Sequence, residues 1–92
     1  MLKINKKEEP EFFSKFKKRE KPKNWGDFDF RLKNELKEYM LENEQKIGKE
    51  KYCPYCELKI LLENSQIEHL KPKDKFPELF SDYENFIVGC VD

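Results

Sequence analysis

Ninety-two residues allow one small domain, and 37% hydrophobic against 41% charged residues leave it a thin core. Charges balance to zero, and no run approaches the roughly 18 apolar residues of a membrane span. Three cysteines, with no apolar stretch in residues 1–20, point away from a secreted disulfide framework and toward a reducing cytoplasm and metal-binding thiols.

In chain order, residues 1–9 read as extended or frayed. Pro10 suits the first turn of a helix, and Phe12, Phe13 and Phe16 then share one face, which predicts a helix over about 10–19. Glu20 to Gly26 has turn chemistry, with Trp25 as its anchor to the core. Asp27 or Asp29 can cap a second helix whose apolar positions are Leu32, Leu36, Tyr39, Met40 and Ile47. Gly48 stands where a left-handed residue would end it. Lys33, Glu35, Lys37 and Glu38 give that helix a solvated outer face.

From Tyr52 the character changes, so a boundary is expected there: a helical region over 1–51 and a metal-site region over 52–92. The thiol pair Cys53 and Cys56 forms a knuckle. Leu58–Leu62 and Gln66–Leu70 fit two short antiparallel strands around a Glu63-Asn64-Ser65 turn, although KILLE fits a helix equally well. Lys71–Phe76 is loop, and Pro77 opens a helical turn ending near Ser81. The fold class is α+β, with N-terminal helices packed on a zinc-stapled ββ hairpin.

Two thiolates separated by two residues can bite one zinc ion, and Cys90 offers a third ligand from a distant part of the chain. The lone histidine, His69, follows a carboxylate, Glu68, and precedes Asn85. Charge is uneven: residues 1–25 carry nine Lys/Arg against four Asp/Glu, whereas residues 57–92 carry four against eight. Attraction to nucleic acid would come from the N-terminal arm, and the acidic half suits phosphate chemistry if its carboxylates hold a cation.

The run YCPYCE through IEHLKPK to NFIVGC resembles the HNH endonucleases, most closely the family found with retron and Septu-type anti-phage systems. That resemblance implies a ββα-metal fold and metal-assisted phosphodiester hydrolysis, with DNA favoured over RNA. His69 would be the general base, Glu68 a ligand of a catalytic Mg²⁺-like ion, and Asn85 the residue fastening the loop that carries the histidine. Cys53, Cys56 and Cys90 would be three of four structural zinc ligands, and Lys71, Lys73 and Lys75 would grip the substrate backbone. A defence-system ATPase is the implied partner. The family's last motif residue lies on a helix roughly nine residues beyond the central Asn, past Asp92, so the motif is expected to be incomplete and this chain inactive by itself. Two other readings remain open. One is a non-catalytic zinc module. The other is a redox protein, since CPYC is also the active-site sequence of glutaredoxins, with Cys53 as nucleophile at a helix N-terminus.

Overall fold

The computed structural model describes residues 4–90. Helix α1 (Glu11–Glu20) follows Pro10 and buries Phe13 and Phe16. Helix α2 (Phe30–Asn43) is capped by Asp29, whose carboxylate accepts from the Leu32 N–H at 2.7 Å. It buries Leu32, Leu36, Met40 and Leu41. The helix stops at Asn43, short of the expected Gly48. Gln45 turns inward there, and Ile47, assigned to the helix's apolar stripe, is 59% exposed. Lys46–Ile47 (β1) and Glu50–Lys51 (β2) form a small hairpin instead, turned by Gly48 at φ 64°.

The strand pairing also differs from expectation. Residues 58–60 fold back on the segment before the knuckle: Cys53 N–H bonds Leu58 O at 2.9 Å, and Ile60 N–H bonds Lys51 O at 2.8 Å. Leu62–Asn64 is a single 3₁₀ turn. The main hairpin joins β3 (Ser65–His69) to β4 (Phe86–Cys90), antiparallel, with Ser65 opposite Cys90 and His69 opposite Phe86. Burial explains the choice, because Phe86, Ile87 and Val88 are all buried whereas Leu58 and Leu61 are exposed. A strand buried on both faces appears as a continuous apolar run, not an alternation. The predicted turn after Pro77 is present as Pro77–Leu79.

One core draws on both halves of the chain. Phe13 stacks on Phe28 at 5.4 Å between centroids and meets Phe86 edge-on at 5.7 Å. Leu36 and Met40 of α2 join Val88 of β4 in the same cluster. The start of the described chain is tied down as well. Lys6 Nζ donates to Glu44 Oε1 at 2.7 Å and to Phe86 O at 3.0 Å, and Tyr83 donates its hydroxyl to the same carboxylate.

Gln45 fastens β4 to the end of α2. Its amide donates to Val88 O at 2.8 Å and Tyr52 O at 3.1 Å, and its oxygen accepts from Val88 N–H at 2.9 Å. Gln45→Ala leaves buried backbone groups without partners, each costing about 1–3 kcal/mol. Urea unfolding is therefore expected to show a loss of roughly 2–4 kcal/mol with an unchanged denaturant slope.

Candidate functional site

The β3–β4 hairpin carries different chemistry at its two ends: Ser65 pairs with Cys90 at one and His69 with Phe86 at the other. At the Cys90 end lie the thiols. Pro54 and Tyr55 turn the chain so that Glu57 N–H reaches Cys53 O at 2.8 Å, with Glu57 at φ 59°. Cys90, at the end of β4, meets this knuckle. The sulfurs of Cys53, Cys56 and Cys90 all lie within 4.8 Å of one another, and Cys56 Sγ is 3.5 Å from Cys90 Sγ. A tetrahedral zinc with Zn–S bonds of about 2.3 Å separates its sulfurs by roughly 3.8 Å, so these thiols fit such an ion.

The thiols also act on one another electrostatically. Burial opposes ionisation of Cys53. The backbone N–H groups of Cys56, Cys90 and Tyr55, helped by the Cys56 thiol, outweigh it and bring the pKa down to about 7. Cys90 is pushed up to about 12 by its thiol neighbours Cys56 and Cys53. One thiolate forms readily and the next is resisted by it; a bound cation removes that resistance.

His69 is at the other end, paired with Phe86. Its ring lies edge-on to Trp25 at 4.7 Å and packs against Phe86 at 5.1 Å. Nε2 is 3.0 Å from the backbone oxygen of Phe80. A carbonyl oxygen only accepts, so Nε2 carries the proton and Nδ1 of the neutral ring keeps its lone pair. Burial holds the ring below its ordinary pKa, over the opposing pull of the Phe80 carbonyl, and Lys73 adds to the depression.

Asn85 is buried and bonds both backbone groups of Lys71: Oδ1 accepts from the N–H at 2.9 Å, and Nδ2 donates to the carbonyl at 3.2 Å. Its own carbonyl accepts from Leu70 N–H at 2.8 Å. The backbone just after His69 is thereby clamped. Of the three loop lysines, Lys73 reaches over the Trp25 ring at 5.9 Å and Lys71 over Phe76 at 5.5 Å. Lys75 is exposed, its N–H closing a turn to Pro72 O.

Glu68 is not brought to His69. It lines the thiol pocket with Tyr55 and Gly89, where its carboxylate accepts from Gln66 Nε2 at 2.7 Å. Gly89 makes room for it: a Cβ there would stand 3.1 Å from Glu68 Cγ. A hard divalent cation needs several oxygen ligands; among the described residues the group close enough to share a metal ion is the three thiols, while the Glu68 charge still acts on the His69 ring.

Sequence reasoning treated Trp25 only as an anchor and missed Phe80, which contributes a backbone atom that no residue type reveals. It also left Lys33 on a solvated helix face, whereas Lys33 Nζ sits 4.8 Å from the Trp25 ring centroid. Its position three residues after Phe30 and four before Lys37 on α2 is the one signal that could have placed it.

No protein-family model matches the chain, and no solved structure matches it. One curated protein of Vibrio cholerae serotype O1 biovar El Tor, named "Retron Vc95 putative HNH endonuclease", is 40% identical over 42 residues. The matched part is 42% of this chain and 20% of that protein, so the chain spans about a fifth of the length of the curated relative it matches. The similarity supports, at most, a link between this segment and the HNH endonucleases.

Proposed function

We propose that the chain is the HNH nuclease element of a retron- or Septu-like anti-phage system, acting in the cytoplasm on phosphodiester bonds of nucleic acid, DNA in preference to RNA. The observation that carries this reading is the pose of His69, with Nε2 committed to Phe80 O and the following loop locked by Asn85. A general base must be neutral, oriented and free at one nitrogen, and this ring meets all three conditions. In this mechanism Nδ1 takes a proton from water as the water oxygen bonds to phosphorus, the bond from phosphorus to the 3′-oxygen breaks, and the departing 3′-oxygen takes a proton from solvent. Asn85 is a positioning residue. Lys71, Lys73 and Lys75 offer charge to the phosphate backbone, and Glu68 belongs to the thiol side of the hairpin.

In this reading the ion at Cys53, Cys56 and Cys90 is zinc, a structural brace that ties the knuckle to the end of β4. Residues 1–51 form the helical support and 52–92 the nuclease region, with a defence ATPase as partner. The redox alternative finds no support in the backbone: residues 57–61 after the motif are not helical, so Cys53 lies at no helix N-terminus. The non-catalytic zinc module keeps one observation in its favour, the placement of Glu68 away from His69. The test is cleavage by the purified full-length protein of supercoiled plasmid, single-stranded DNA and RNA, with Mg²⁺ or Mn²⁺ supplied. Nicked or linear DNA products are expected. A zinc-loaded, folded preparation that cuts none of these substrates would favour the non-catalytic module.

A further inference from the structure

A cleft of about 290 Å³ runs between α2 and β3 and reaches Trp25, beside His69. Trp25 is common to both places: it touches the His69 ring and lines the cleft, so the two are continuous. The other wall is the first turns of α2, with Phe30, Lys33 and Asn34, facing Gln66 on β3. Phe30 is 80% exposed, the most open large apolar side chain among the described residues. Two cations crowd this end of the cleft, Lys33 at 4.8 Å and Lys73 at 5.9 Å from the Trp25 ring, and neither is in an ion pair among the described residues. Lys37 is already committed to Ser65 O at 2.8 Å, bracing the wall.

We propose that this cleft binds a single strand of nucleic acid, with one unpaired base stacked on Phe30 and the adjoining phosphates held by Lys33 and Lys73. This deepens the nuclease reading by naming how substrate reaches His69, and it rests on that reading only for the use of the bound strand. The chemistry selects the ligand. Exposed aromatic platforms beside unpaired cations suit a chain that alternates π-faces and phosphates, and a base's face is free only when the base is unstacked. In a duplex those faces are covered by neighbouring pairs. Gln66 and Asn34 offer amides to a base edge without the paired geometry that would read one sequence.

Trp25 is the sole tryptophan, so its fluorescence reports occupancy of the cleft directly. The experiment titrates the full-length protein, without divalent metal to prevent cleavage, with 20-residue oligo-dT, oligo-rU and a DNA duplex at several salt concentrations. Both single strands are expected to quench the signal, and the duplex to bind more weakly; the ratio of the first two shows which polymer fits better. Phe30→Ala should weaken single-strand binding about tenfold or more, by the usual worth of base stacking, while leaving the melting temperature unchanged because the ring packs on little. Lys33→Ala should lower the slope of log affinity against log salt by about 0.7, the value of one phosphate contact on a single strand. Binding that is absent, that favours duplex, or that ignores Phe30→Ala overturns the proposal. So does a self-association removed by Phe30→Ala in a protein that binds no oligonucleotide. The two readings fail separately: cleavage with a silent Phe30 spares the nuclease and removes the cleft, whereas Phe30-dependent binding without cleavage does the reverse.

Discussion

Chelation of a zinc ion held by Cys53, Cys56 and Cys90, as proposed above, is expected to lower the melting temperature by at least about 12–24 °C. The core is small, and the thiol knuckle joins it through few apolar contacts: Cys53 and Ile60 are buried, while Tyr55, Leu58 and Leu61 are exposed. Structural zinc contributes apparent free energies of about 10–16 kcal/mol in small zinc peptides. The packing of α1, α2 and β4 is independent of the ion, so the loss here is set at a conservative figure of about 3 kcal/mol, with each kcal/mol worth roughly 4–8 °C in a domain this size. Cys53→Ser should reproduce the effect of chelation, since Cys53 is the buried member of the thiol cluster and the surrounding N–H groups favour its ionisation. Elemental analysis together with thermal unfolding checks this. A protein without stoichiometric zinc whose melting is unchanged by chelator would contradict it.

The helices were legible because their signals are local. Asp29, Pro10 and the spacing of Leu32, Leu36 and Met40 act within a few residues, and the structure follows them. The end of α2 was not legible. Gln45 leaves the helix to satisfy Val88, more than 40 positions away, and no local pattern announces a side chain that serves a distant strand. The main hairpin failed for a related reason. KILLE and QIEHL are neighbours joined by a turn sequence, but Phe86 and Val88 bury apolar surface in one cluster with α1 and α2, and the long-range pairing won.

At the site, the sequence revealed which residues matter more clearly than how they face. The three cysteines cluster as their spacing suggested. Glu68 and His69 are adjacent in sequence, and strand alternation parts them. The aromatic walls around His69 come from Trp25 and Phe86, which are distant along the chain, and its orienting partner is a backbone oxygen.

Cleavage by the proposed mechanism depends on His69 acting as a base on water. Loss of a general base ordinarily costs about 10²–10⁴ in rate, and nothing else among the described residues beside Trp25 and Phe86 can take a proton in its place. His69→Ala would also empty the space between those two rings, so a second variant is needed to separate chemistry from packing. His69→Phe keeps an aromatic ring between Trp25 and Phe86 and has no nitrogen. The decisive measurement is the single-turnover cleavage rate of the wild-type, His69→Ala and His69→Phe full-length proteins on one labelled DNA, at equal zinc content. The account predicts that both variants fall by about 10²–10⁴-fold while His69→Phe, which loses the bond to Phe80 O and keeps the ring packing, melts closer to wild type than His69→Ala does. Undiminished cleavage by His69→Phe would contradict it.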